Sequence, residues 1–190
     1  MAKVYEFLAN GFEEIEALAP VDILRRGGLE VETVSITGGL EVTSSHGVTL
    51  LADLRFEDAG HFDDADMLLL PGGLPGTTHL KEHEGLKALL KRQHQAAKRI
   101  GAICAAPSVL AECGILDGKK ATCSPGFERY FNASTTYTGT LFQEDGNVIT
   151  GEGPAATLPY AYQILSYFVD KSAVKQLQDG MQYTHLLSQK

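Results

Sequence analysis

Short unbroken apolar runs alternate along this chain with longer segments whose apolar residues recur at helical spacing. Residues 4–9 open it as a strand, and Asn10-Gly11 supplies a turn. Residues 13–26 follow as a helix: Ile15, Leu18, Ala19, Ile23 and Leu24 fall near its period, and Gly27-Gly28 can end it. Pro20 lies inside this helix and predicts a kink or a missing hydrogen bond. Residues 29–36 alternate as a strand, with Val31, Val34 and Ile36 set among Glu32, Thr33 and Ser35. Gly38-Gly39 then leads into two small strands at 40–43 and 48–51.

The second half repeats the rhythm. Residues 67–70 are wholly apolar and run into Pro71-Gly72-Gly73-Leu74-Pro75-Gly76. A polar helix over 84–98 precedes a strand that starts at Ile100, and 107–112 reads as the next helix. A short strand at 121–123 comes before segments 138–143 and 147–150, which flank Asp145-Gly146 as a hairpin. Residues 155–169 and 173–180 form the closing helices. Alternating strands and helices, with fully apolar strands, predict an α/β fold whose parallel sheet is covered on both faces. No repeat, low-complexity segment or linker divides the chain, so residues 1–190 read as one domain.

In such sheets ligands bind beyond the C-terminal ends of the strands. Three loops fall there: 10–16, 71–76, and Cys104 with Ala105. The octapeptide Ile100-Gly101-Ala102-Ile103-Cys104-Ala105-Ala106-Pro107 carries the sharpest chemical signal. It turns a buried strand directly into a helix with a thiol at the bend. Amides at a helix start favour the thiolate, which is the nucleophilic form. Cys113 and Cys123 read instead as small buried hydrophobes.

Glu13, Glu14 and Glu16 cluster at the start of the first helix. Interaction with the helix dipole accounts for Glu13 and Glu14. Glu16, one turn further in, can reach under the sheet end, where desolvation would keep it protonated and able to hydrogen-bond the sulfur. Gly72 and Gly73, together with Ala105, can present backbone amides to an oxyanion. Of the histidines His46, His61, His79, His83, His94 and His185, none adjoins Cys104 in sequence. His79 and His83 have the spacing of a metal pair but lack a third ligand, so no metal site is expected and a solvated helix face is. No phosphate loop or complete dinucleotide fingerprint occurs, and no cofactor is expected.

The bulk properties narrow the classes. Net charge is −8, and no Lys/Arg run exceeds two residues, which argues against a nucleic-acid patch. No apolar stretch approaches the roughly 20 residues that span a bilayer. Three cysteines without paired spacing do not form a disulfide framework, and there is no signal-peptide pattern, so the expected location is the cytoplasm.

Taken in order, Gly11-Phe12-Glu13-Glu14-Ile15-Glu16, the run from Pro20 to Gly28, Leu70-Pro71-Gly72-Gly73 and Ala102-Ile103-Cys104-Ala105-Ala106-Pro107 resemble the ThiJ/PfpI superfamily. Within it the chain is most similar to the Parkinsonism-associated deglycase branch, and the likeness continues through Gly151-Glu152-Gly153-Pro154 and the final helix. The resemblance implies a flavodoxin-like three-layer sandwich with a mostly parallel sheet, of the class I glutamine amidotransferase type, and a homodimer. It implies a nucleophile elbow at Cys104, hydrogen-bonded to a protonated Glu16. Three departures stand out. Ser124 occupies the position where the branch often has a site-lining histidine. Glu152 stands where relatives tend to carry arginine, and Leu74 where they carry a polar residue.

The expected function is cofactor-free, cysteine-dependent detoxification of reactive carbonyls, of the glyoxalase III or deglycase type. Its substrates would be methylglyoxal, giving lactate, or glycated protein. A redox sensor or redox-regulated chaperone acting through oxidation of Cys104 is the alternative. A protease or amidase is a third reading, opposed by Ala105 where protease-like members carry a histidine.

Overall fold

A computed structural model describes residues 1–58, 60 and 62–189 of the chain. His61 lies outside the described residues. In chain order the elements are β1 (Lys3–Leu8), α1 (Glu14–Arg26), β2 (Glu30–Ser35), β3 (Glu41–Thr43), β4 (Thr49–Leu51), β5 (Leu54–Arg55), β6 (Met67–Leu70), α2 (Gly76–Glu82), α3 (Glu84–Gln95), β7 (Arg99–Ile103), α4 (Pro107–Glu112), β8 (Lys120–Ala121), β9 (Thr136–Tyr137), β10 (Phe142–Asp145), β11 (Val148–Gly151), α5 (Thr157–Leu165), α6 (Lys171–Gly180) and α7 (Tyr183–Ser188).

The central sheet runs β10-β11-β7-β6-β1-β2-β5. Every neighbouring pair in it is parallel except the β10–β11 hairpin. Strand periodicity sorts its side chains onto two faces. Tyr5, Phe7, Leu68, Leu70, Ile100 and Ala102 pack with Leu80, Leu86, Leu90, Val109 and Leu110, which belong to α2, α3 and α4. Val4, Met67, Leu69 and Ile103 pack with Ile23 and Leu24 of α1 and with Tyr160, Ile164 and Leu165 of α5. The result is the expected mostly parallel sheet between two helical layers. Among the described residues, no helix is long and apolar enough to cross a membrane.

Most of the predicted elements are present, with shorter ends. Pro20 does not break α1, which continues to Arg26. Its missing N–H falls on the turn that leaves the Glu16 carbonyl without its usual donor four residues on. The expected helix over 84–98 is α3, and it ends at Gln95. A separate helix, α2, precedes it, with His83 as the junction: its Nδ1 accepts the Leu86 N–H at 3.0 Å. Tertiary contacts, not periodicity, define β5, β9 and the short α7, none of which the sequence pattern marks. The predicted strand at 121–123 is cut to Lys120–Ala121. It ends there because the Thr122 amide leaves its ladder for the Thr150 Oγ1, at 2.8 Å.

One buried residue breaks the apolar rule of the core. Glu6, on β1, shares the face of Val4 and is 1% exposed, and its Oε2 has no hydrogen-bond partner among the described residues. Burial pushes its carboxyl well above the ordinary range, with the Glu16 charge adding to the effect. A carboxyl whose pKa is higher folded than unfolded supports stability below its unfolded pKa, and that support is lost as pH rises toward the folded value. Glu6→Gln should therefore raise the melting temperature above that of the wild-type protein, with a gap that widens between pH 5 and pH 8. Thermal melts across that pH range provide the measurement, and a gap independent of pH would contradict an ionisable Glu6 in the core.

Candidate active site

The three loops at the strand ends meet. The Glu13 N–H donates to the Gly72 carbonyl at 3.0 Å, and the Gly76 N–H to the Gly11 carbonyl at 3.1 Å. These bonds tie the β1–α1 loop to the β6–α2 loop beside the end of β7. Cys104 sits at that end with φ 63°, a left-handed conformation that is uncommon for a non-glycine residue and turns the chain sharply into α4. The bend is pinned on both sides: the Cys104 N–H donates to the Gly151 carbonyl, and the Cys104 carbonyl accepts from the Ser124 N–H, each at 2.9 Å. A held positive φ at a strand-to-helix turn projects its side chain outward from the sheet end, as a nucleophile elbow does.

Glu16 comes from the first turn of α1. Glu13 caps that helix by accepting the Glu16 N–H at 2.8 Å. The Glu16 side chain is wholly buried, and its Oε2 accepts the Gly72 N–H at 2.9 Å. Burial pushes its carboxyl up to about 7, against the opposing pull of hydrogen bonds from Cys104 and Gly72. Burial likewise pushes the Cys104 thiol up to about 12, and the charge and hydrogen bond of Glu16 act in the same direction. The amides of Ala105 and Gly73, which face the sulfur, pull it down. The helix-start effect expected from the sequence is thus present but outweighed by desolvation. Once Glu16 holds a proton, its repulsion of the sulfur vanishes and its O–H becomes a donor.

Cys104, Glu16, Gly72, Gly73 and Ala105 are therefore brought together. Gly72 takes a different part from the one its sequence suggested, because its amide is committed to Glu16 and is not free for an oxyanion. Its lack of a side chain is required: a Cβ there would stand 2.7 Å from both the Cys104 Cβ and the Glu16 Oε2. Ser124 adjoins Cys104 through the backbone bond already described, and no side-chain hydrogen bond ties its hydroxyl to the sulfur. Cys113 is half-buried away from this site, and Cys123 is fully buried.

A cleft of about 410 Å³ opens over the thiol, lined by Glu13, Ser45, His46, Gly73, Leu74, Cys104, Ala105 and Phe127. Ser45, His46 and Phe127 carry no local signal that would have marked them. Ser45 and His46 arrive on the β3–β4 ribbon, which is sewn to the β1–α1 loop. The Gly11 N–H donates to the Thr43 carbonyl at 2.8 Å, the Ser45 N–H to the Phe12 carbonyl at 2.7 Å, and the Thr43 N–H to the Asn10 Oδ1 at 3.0 Å. This places the His46 Nδ1 3.0 Å from the Glu14 Oε2. Glu14, assigned to the helix dipole from the sequence, thus has a specific partner. The donor atoms of Glu13, Glu14 and His46 lie within 4.8 Å of one another, but each residue already bonds to a protein group. His79 bonds the Asn10 carbonyl through Nδ1 at 2.8 Å, and His83 caps α3, so the pair at metal-like spacing is engaged with backbone.

Known proteins resemble this chain in sequence and in fold. The DJ-1/PfpI family profile matches residues 2–167. A Parkinson disease protein 7 homolog of Danio rerio is 36% identical over 172 residues, covering 90% of this chain and 91% of the relative. A deglycase of Pyrococcus horikoshii is 30% identical, over 80% of this chain and 91% of that protein. The chain spans 39% of the length of the DJ-1 homolog B of Arabidopsis thaliana, with 34% identity over 89% of itself. The crystal structure of Drosophila melanogaster DJ-1beta superposes with a TM-score of 0.90 at 32% identity, covering 95% of this chain and 97% of that one.

Packing around Gly72 yields a direct test of the site. Gly72→Ala should cost about 1–3 kcal/mol of stability by overpacking. It should also alter the pH dependence of Cys104 alkylation by iodoacetamide, because the added methyl separates the thiol from the carboxyl. Denaturant unfolding and alkylation rates between pH 5 and pH 9 would measure both. A variant with the wild-type alkylation profile would show that the Glu16–Cys104 contact does not govern the thiol.

Proposed function

This chain belongs to the DJ-1/PfpI family, and from its elbow cysteine paired with a buried carboxyl we propose that it converts reactive carbonyls, methylglyoxal to lactate, without a cofactor. The observation that carries this reading is Cys104 at positive φ with the wholly buried Glu16 beneath its sulfur. A thiol that attacks must lose its proton, and a carboxyl raised to about 7 is suited both to take one and to return it near neutral pH.

The reaction closes without an external oxidant. As the Cys104 sulfur attacks the aldehyde carbon, Glu16 takes the thiol proton, and the carbonyl oxygen becomes an oxyanion facing the amides of Gly73 and Ala105. Glu16 gives that proton to the oxygen, which makes a hemithioacetal and restores the carboxylate. Glu16 then removes the proton on the former aldehyde carbon and returns it to the adjacent ketone carbon, while the hydroxyl proton of the first carbon passes to the ketone oxygen. The first carbon is oxidised as the second is reduced, which leaves a lactoyl thioester on Cys104. Water cleaves the thioester to lactate and restores the thiol. A glycated side chain that presents the same hydroxycarbonyl unit could enter the open cleft, so repair of glycated protein belongs to this reading. A homodimer belongs to it too, supported by Ile15 and Leu18 exposed on α1.

One observation favours a second reading, in which Cys104 acts as an oxidation sensor. The Glu16 Oε1 is buried with no partner among the described residues, so its O–H is free to donate to an oxygen added to the sulfur.

Lactate formation from methylglyoxal separates the two. Cys104→Ser should abolish it, and Glu16→Gln should lower it about 10²–10⁴-fold, the usual contribution of a general acid/base. Under the sensor reading, the wild-type protein forms no lactate, while mild peroxide adds two oxygens at Cys104, visible by intact mass. Undiminished lactate production by Cys104→Ser would overturn the carbonyl reading.

A further inference from the structure

We propose that His46, held by Glu14, is the base that activates water to release the product from Cys104. This assignment rests on the carbonyl reading and completes a step that reading leaves without a residue. Glu16 cannot serve there: it is wholly buried beneath the sulfur, away from solvent. The thioester must be hydrolysed from the open side of the cleft, and the residues on that side are few. Leu74, Ala105 and Phe127 have no base, and Glu13 is engaged as the cap of α1. Ser124 carries a hydroxyl that cannot act as a base near neutral pH.

His46 has the required chemistry and exposure. Its side chain is 69% exposed, and it lines the same cleft as Cys104. Its Nδ1 lies 3.0 Å from the Glu14 Oε2 and 3.2 Å from the Ser45 Oγ. A carboxylate at Nδ1 selects the tautomer with the proton on that nitrogen, so Nε2 keeps its lone pair. The orienting carboxylate thus stands behind the imidazole as in other base–carboxylate pairs. The loop that carries His46 is clamped at both ends, by Ser45 N–H on the Phe12 carbonyl and by Val48 N–H on the Ser44 Oγ at 3.0 Å. A base on a fixed turn loses less entropy in finding its geometry than one on a free loop.

In the step itself, Nε2 takes a proton from water as the water oxygen bonds to the thioester carbon. The carbon–sulfur bond then breaks, the departing Cys104 thiolate takes up the proton held by His46, and lactate departs with its carboxyl proton lost to solvent. The charged groups facing the imidazole are Glu14 and Glu13 of α1, with the Cys104–Glu16 pair further down the cleft. Glu14 raises the His46 pKa, with Glu13 adding to it. Water activation needs the neutral ring, so product release should fall as pH drops through the His46 ionisation.

The experiment follows lactate and the covalent state of Cys104 together, with methylglyoxal as the substrate. His46→Gln should still form the adduct, lose about 10²-fold in turnover, and accumulate a thioester. The trapped species adds the mass of one methylglyoxal and is discharged by hydroxylamine. In His46→Ala, added imidazole should restore turnover, and Glu14→Gln should shift the acidic limb of the pH profile downward. Wild-type turnover in His46→Gln would overturn the proposal, as would slow turnover with no trapped thioester. If the wild-type protein forms neither adduct nor lactate, the carbonyl reading has failed, and the His46 assignment falls with it.

Discussion

The hydrogen bond from the Gly72 amide to the Glu16 carboxyl, 2.9 Å long and wholly out of solvent, is the constraint on which the rest of the site depends. It joins the first turn of α1 to the loop after β6, two segments far apart in the chain, directly beneath the elbow at the end of β7. Without it the buried carboxylate would have no backbone donor, and an uncompensated charge in such a place is costly. With it, Glu16 can hold either its proton or its charge at moderate expense. That balance is what the proposed movement of protons to and from one carboxyl requires.

Much of this arrangement was written in local signals. Apolar runs at 67–70 and at the start of β7, with helical periodicity between the strands, specify a covered parallel sheet, and the register then brings the strand ends together. The tight turn from strand to helix marked Cys104, and the glycine pair marked the neighbouring loop. Glu16 was legible from its position one turn into a helix that starts at the sheet end. Glu6 was not. A glutamate in an otherwise apolar strand reads as an edge or solvent-facing residue, and only the placement of β1 between β2 and β6 buries it.

His46 was illegible for a different reason. Its role in the cleft depends on the β3–β4 ribbon folding back over the β1–α1 loop, through bonds among Thr43, Ser45, Gly11, Phe12 and Asn10. Nothing in the spacing of those residues reports that closure, which is a long-range backbone match. The part of Gly72 was also hidden. A glycine pair after a strand announces a turn, but which amide faces a carboxyl and which faces the sulfur is set by a rotation of one peptide plane.

The clamped ribbon divides the cleft into parts with different fates under substitution. The floor, made of Cys104, Glu16 and Gly72, is continuous with the sheet, so change there disturbs the core and the chemistry at once. The wall, made of Ser45 and His46, is fastened by the Ser45 main-chain N–H and by the neighbouring Asn10 and Ser44 side chains, none of which needs the side chain of Ser45 or His46 itself. Its residues can therefore be exchanged with little penalty to the fold. A lineage drifting under selection would hold the floor and the proposed base fixed while the rest of the wall diversified, and the range of accepted molecules would change faster than the reaction carried out on them.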